Sequence, residues 1–159
     1  MLPRTGIGYD IHHFLKGRKL FLGGVEIPHP VGLAGHSDAD VVLHAICDAI
    51  LGAAGKGDIG EYFSPQDKRW EGISSLVLLK QVYDLVKKDG YSVGNVDVVI
   101  QAEEPKITPY KTKMRAAIAK ELAVESDRIN IKATTQEGMD AIGQKKAIAA
   151  FASVLLFKE

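Results

Sequence analysis

The chain has 159 residues, 46% of them hydrophobic, which suits one domain, residues 1–159, with a proper core. Twenty basic residues cancel twenty acidic ones, leaving no electrostatic footprint for nucleic acid. The longest apolar run near the end, Ala147 to Phe157, is too short to span a membrane, and no charged-then-apolar leader opens the chain. Cys47 is the sole cysteine and excludes an internal disulfide, so a reducing cytosol is the expected setting.

The first element is a strand over Gly6-Ile7-Gly8-Tyr9-Asp10-Ile11-His12. Side chains two apart share a face, so Asp10 and His12 stand together, with Tyr9 and Ile11 on the opposite side. Alone, an Asp-x-His pair is more often the polar face of an edge strand, but it is also half of a metal site. Two short apolar runs around Gly23-Gly24 predict a hairpin, and His29 to Gly35 reads as a loop. Ser37, with Asp40 three residues on, has the pattern of a capping box. A helix is therefore expected through Val41, Val42, Ala45, Ile46, Ala49, Ile50 and Ala53, stopped by Gly55 and Gly57. Cys47 sits in its apolar pattern as a small core residue.

Asp40, His44 and Asp48 recur every four residues and stack on the other side of that helix. His44, with a carboxylate one turn away in each direction to orient its ring, is the candidate third ligand beside Asp10 and His12. Two histidines and one carboxylate leave a fourth position open, the arrangement of catalytic rather than structural zinc.

Residues 57–67, rich in Gly, Pro and acidic side chains, read as an exposed loop that suits a connector or a ligand loop equally. Ser74 or Ser75 caps a second helix through Leu76, Leu79, Val82, Tyr83 and Val86, ended by Gly90. Gly94 to Gln101 is a buried β-branched strand. After the loop Ala102 to Pro109, Thr108 as cap and Pro109 at the first position start a helix that turns Met114, Ile118 and Leu122 inward. Ile129 to Thr135 alternates as a strand, and Gln136 to Gly143 is a turn or short irregular segment. Ala147 to Phe157 fits a strand or a short helix about equally. Strands interleaved with helices give an α/β sandwich of two layers.

Four segments in order, Gly8 to Phe14, His36 to Ala45, Leu51 to Gly60 and Lys132 to Glu137, resemble the 2-C-methyl-D-erythritol 2,4-cyclodiphosphate synthase family over essentially the whole chain. The resemblance implies a mixed sheet of four to five strands with helices on one face. It also implies a homotrimer whose sheets face the three-fold axis, with active sites between subunits. The implied reaction closes a cyclic diphosphate. In it, the 2-phosphate of a cytidine diphosphate ester of methylerythritol attacks the β-phosphorus and expels CMP.

By family match, Asp10, His12 and His44 bind Zn2+, in agreement with the spacing argument. Glu137 holds Mg2+ or Mn2+ on the diphosphate. His36 and Thr135 match positions that stabilise the transition state. His36 and Ser37, expected at the helix start, add hydrogen bonds to phosphate there. Asp58, Ile59 and Gly60 match the segment that holds the diol, and Phe63, Ser64, Pro65, Gln66 and Asp67 continue that wall. Ala102 with Pro105, Lys106, Ile107 and Thr108 matches a cytosine pocket. Thr134 and Thr135, followed by Gln136 and Glu137, match the contacts of the cytidylate phosphates.

The stretch after Glu137 departs from the family. A Phe and an Arg that line a cavity on the three-fold axis, where an isoprenoid diphosphate can bind, are replaced here by Ala141 and Gln144. Arg binds phosphate in a way Gln does not, so isoprenoid binding stays open here; Lys145 or Lys146 could substitute as a point charge, though a role on the solvated strand suits them better. Position 65 is Pro where the family often has Asp. Contact with neighbouring enzymes of the pathway stays open. The other readings of the same ligands are a zinc-dependent phosphohydrolase and a structural zinc site. The latter would ordinarily need four protein ligands, mostly Cys and His, and fits poorly a chain with one Cys in an apolar stripe.

Overall fold

The computed structural model describes residues 2–158. The first strand, β1, runs Leu2–Leu15, longer at both ends than its apolar pattern. Next come β2 (Leu20–Leu22) and β3 (Val25–Ile27), the expected hairpin, which pair antiparallel as a small sheet of their own. Gly23 and Gly24 turn it at φ 60° and 79°, a region glycine adopts without strain. Within the segment expected as loop, Gly32–Leu33 forms a short strand, β4, on the end of β1.

Helix α1, Val41–Ala54, is buried along almost its whole length and closed by Gly55 in the left-handed conformation. Its cap is Asp40, not Ser37. The Asp40 carboxylate accepts the Leu43 N–H at 3.1 Å and also the N–H groups of Gly23 and Gly24 at 2.9 and 2.7 Å. One buried side chain thus ends the helix and ties the hairpin to it. Burial and the neighbouring Asp38 charge push this carboxyl up to about 6, against the three N–H donors. The capping-box pattern was misleading because Asp40 itself supplies the cap, and Ser37 lies four residues ahead of the first helical residue.

The remaining elements are α2 (Ile59–Tyr62), α3 (Ser75–Lys87), β5 (Tyr91–Gln101), α4 (Lys111–Leu122), β6 (Ile129–Thr134), α5 (Asp140–Gly143) and β7 (Ala147–Lys158). Ser74 caps α3, accepting the Leu76 N–H. Thr108 does not cap α4. Residues 108–110 form a 3-10 turn, and the helix begins after it with no side-chain cap bond. Met114, Ile118 and Leu122 are fully buried, as their spacing requires.

The five-stranded sheet has the order β4-β1-β7-β5-β6, with β5 and β6 parallel and the other pairs antiparallel. β7 settles the open choice at the end of the chain. It is a central strand, paired with β1 on one side and β5 on the other, and these partners override its alanine content. Ile148, Ala150, Ala152, Val154 and Leu156 form its buried face.

The contact of α1 with β1 positions the site. A Cβ on Gly6 would stand 1.9 Å from the Ala49 carbonyl oxygen, and one on Gly8 would stand 1.9 Å from that of Ala45. Bare backbone on β1 therefore lets the helix lie directly on the strand. The opposite face is open: Ile7, Tyr9 and Ile11 are 73%, 47% and 43% exposed, and the Tyr9 ring packs against Phe151 across the strand pair.

Gly8→Ala is expected to lower stability by about 1–3 kcal/mol, the usual cost of overpacking, since the helix must move. Gly52→Ala, on α1, meets only the Ile7 oxygen at 3.8 Å and should be neutral or stabilising by up to about 1 kcal/mol. Urea unfolding of both variants checks the contrast.

Candidate metal centre

Asp10 and His12 project from β1 toward α1, where His44 meets them. His12 Nε2 lies 2.8 Å from Asp10 Oδ2 and 3.3 Å from His44 Nδ1, which is itself 3.1 Å from the same Asp10 oxygen. The three side chains each offer a ligand atom within 4.8 Å of the others, a group that can hold a metal ion. His12 Nδ1 donates to the Ala34 carbonyl at 2.5 Å, which leaves Nε2 to face the cluster. His44, the candidate third ligand, is buried at 8% exposed.

Burial alone would raise the Asp10 carboxyl, but hydrogen bonds from His12 and His44 and their charge hold it well below the usual carboxylate range. Burial works to depress His12, and the hydrogen bond and charge of Asp10 outweigh it, raising the imidazole above its ordinary 6.5. Without a metal the cluster is thus held together by protons that a metal would displace.

The carboxylates expected to orient His44 are engaged elsewhere. Asp40 serves the hairpin, and Asp48 accepts the Ile59 N–H at 2.8 Å, fixing the start of α2. Two hydroxyls take that place: Ser37 Oγ is 3.0 Å and Ser75 Oγ 3.1 Å from His44 Nε2. Spacing could not reveal Ser75, which reaches the site from another helix.

A cavity of about 250 Å³ opens beside the cluster, with His12, His36, Ser37 and His44 on one wall. Ile59, Gly60, Phe63 and Pro65 form the other, together with Trp70 and Leu78, which the sequence reading did not single out. Asp58, Ser64, Gln66 and Asp67 do not line it. Asp58 and Ser64 shape the rim through their carbonyls, which accept the Glu61 and Asp67 N–H groups, and the Ser64 hydroxyl accepts from the Gln66 N–H. The Asp67 carbonyl accepts from His36 Nε2 at 2.9 Å, so His36 ties the rim to the metal side. At the N-terminus of α1 the Asp40 carboxylate accepts the Leu43 N–H, and none of Val41, Val42 and Leu43 lines this cavity.

Ala102, Pro105, Lys106, Ile107 and Thr108 come together with Thr134 and Thr135 around a second cavity of about 360 Å³. Its lining shares no residue with the first. Gln136 lines neither; its side-chain amide donates to Asp140 on the open face of the sheet, and its backbone N–H donates to Glu103 of the second cavity. Glu137 is exposed, at φ 51°, and stands outside the three-residue cluster. His36 and Thr135 therefore belong to different cavities of one chain.

The YgbB family model matches residues 3–157. The chain belongs to the YgbB family. Among its relatives, the 2-C-methyl-D-erythritol 2,4-cyclodiphosphate synthase of Nostoc punctiforme is 53% identical over 156 residues, 98% of each chain. The synthase of the same name from Syntrophomonas wolfei is 52% identical over 153 residues, 96% of this chain and 98% of that one. The solved bifunctional IspDF of Campylobacter jejuni superposes with a TM-score of 0.96 at 43% identity; the match covers 99% of this chain and 43% of that longer one. IspF of Plasmodium falciparum, solved as a CDP complex, superposes at 0.86 with 37% identity, covering 99% and 97%. Membership of the YgbB family matches the resemblance read from the motifs. Among the described residues no helix is long and apolar enough to cross a membrane.

A His raised in the folded state stabilises fully below its ordinary pKa, and the contribution is lost as pH rises through the folded value. The metal-free protein should therefore lose stability as pH rises above the ordinary imidazole value of 6.5, and Asp10→Asn should flatten that slope. Urea unfolding across this range checks it.

Proposed function

We propose that the chain acts in the bacterial cytosol as a single cyclodiphosphate synthase domain. It would convert 4-diphosphocytidyl-2-C-methyl-D-erythritol 2-phosphate to 2-C-methyl-D-erythritol 2,4-cyclodiphosphate and CMP, a step of the non-mevalonate isoprenoid pathway. The observation that carries this reading is the convergence of Asp10, His12 and His44 beside a cavity, in a chain with full-length relatives of that activity.

The donor set fits zinc: two imidazoles turned so that one nitrogen each faces a carboxylate oxygen, with no thiolate needed. When bound there, the metal supplies positive charge to the phosphoryl oxygens and so lowers the barrier between two anions. Glu137 alone is not a complete site, but one carboxylate together with substrate phosphates suits Mg2+ or Mn2+.

The residues of the chain do the positioning. The nucleophile is an ionised phosphate, so no general base is required, and catalysis rests on bringing two anionic groups into line. His36 and Ser37 lie on the phosphate side, where His36 also holds the 63–67 rim in place. Asp58, Ile59 and Gly60, with the Phe63 to Asp67 wall, hold the diol. Ala102 and Pro105 to Thr108 read the cytosine, and Thr134 to Glu137 contact the cytidylate phosphates. A hydrolase would instead need a base for its water. Outside the metal ligands the cavity offers one such base, His36, whose Nε2 is engaged by the Asp67 carbonyl.

Two features support a homotrimer whose sheets face the three-fold axis. The sheet carries an open apolar face of Ile7, Tyr9, Ile11 and Phe151. The metal-side and cytidine-side cavities share no residue, which suits a complete site built from the cavity of one subunit and that of its neighbour. The bifunctional relative supports contact with neighbouring enzymes of the pathway.

Phosphorus-31 NMR of the substrate with protein, Zn2+ and Mg2+ tests the reading. CMP with two coupled cyclic-diphosphate signals is expected; free phosphate without a cyclic product would favour the hydrolase. His44→Ala should abolish turnover and zinc binding together while the far-UV circular dichroism is retained.

A further inference from the structure

His44 stands at the centre of a proton inventory that reaches beyond the ligands. Ser75, the first residue of α3, is fully buried, and its hydroxyl donates to Asp38 Oδ1. An ionised carboxylate only accepts, so the single hydroxyl proton of Ser75 is committed to it. Asp38 is itself fixed, because Oδ2 accepts the Ser75 N–H at 2.9 Å and Oδ1 accepts the Asp40 N–H at 3.1 Å. With its proton spent, Ser75 Oγ can only accept from His44 Nε2, 3.1 Å away. Ser37 Oγ, 3.0 Å from the same nitrogen, already accepts the Ala39 N–H. Nε2 is thereby the nitrogen that keeps its proton when a metal displaces the one Nδ1 shares with Asp10, leaving the Nδ1 lone pair to face the cluster.

We infer that Asp38 and Ser75 form a positioning relay that sets the tautomer and ring orientation of His44 for metal binding. The inference rests on the metal reading above and extends it to two residues that touch neither metal nor cavity. His12 is set by a single carbonyl, Ala34, whereas His44 is set by a hydroxyl that is itself held by a carboxylate. The relay also couples two parts of the chain. Asp38 precedes α1, and Ser75 opens α3, so the docking of α3 is read out at the metal ligand.

Ser75→Ala is the cleaner variant, because it deletes the hydroxyl while the backbone N–H to Asp38 is kept. Zinc affinity, measured by competition with a chelator on the folded protein, is expected to weaken by about 10–100-fold. The visible spectrum of the Co2+-substituted protein should shift, which a merely structural role would not cause. Asp38→Asn should act in the same direction and serves if Ser75→Ala does not fold. Ser74→Ala, which removes the neighbouring helix cap, should lower the melting temperature and leave zinc affinity unchanged. Wild-type zinc affinity and an unshifted Co2+ spectrum in folded Ser75→Ala would overturn the relay. A wild-type protein that binds no zinc would overturn the metal reading and the relay with it.

Discussion

Everything at the candidate site depends on how closely α1 lies on β1. Asp10 and His12 belong to a strand and His44 to a helix 32 residues on from His12, and ligand atoms within 4.8 Å leave no room for a side-chain layer between the elements. Gly6 and Gly8 remove that layer, so the helix backbone rests on the strand backbone just before Asp10. From there the other elements fall into place. The buried face of β7 carries alanines where it passes beside the same helix, and Asp40 pins the β2–β3 hairpin across the helix start.

That arrangement concentrates polar groups in a buried region, and the structure satisfies them by pairing. Among the described residues no buried side-chain nitrogen or oxygen lacks a hydrogen-bond partner. Asp40 accepts three N–H groups, Asp38 accepts from Ser75 and Asp40, and the two histidine rings are each anchored on their outer nitrogen. Only the inner atoms of Asp10, His12 and His44 converge without donors fixed by their surroundings. A cation would resolve that convergence, and the anchoring determines which nitrogen would be presented to it.

The parts legible in the sequence were those set by short-range periodicity. Alternation along a strand put Asp10 beside His12, and helical spacing separated His44 from the apolar stripe. The β2–β3 hairpin followed from Gly23-Gly24. What local spacing could not reveal depends on distant partners. Asp40 and Asp48 flank His44 at helical spacing, yet the hairpin and α2 claim them, and Ser37 and Ser75 take the role expected of them. The Ala-rich end of the chain has little periodicity of its own and becomes a strand because β1 and β5 pair with both its edges. Thr135 and Glu137 were joined to the metal side by family resemblance, and within one chain they lie apart from it.

X-ray absorption at the zinc edge of the reconstituted protein tests the central claim most directly. The account predicts two imidazoles and oxygen donors at about 2.0–2.2 Å, with no sulfur. A sulfur shell near 2.3 Å, or a site lacking imidazole, would contradict a centre built from Asp10, His12 and His44.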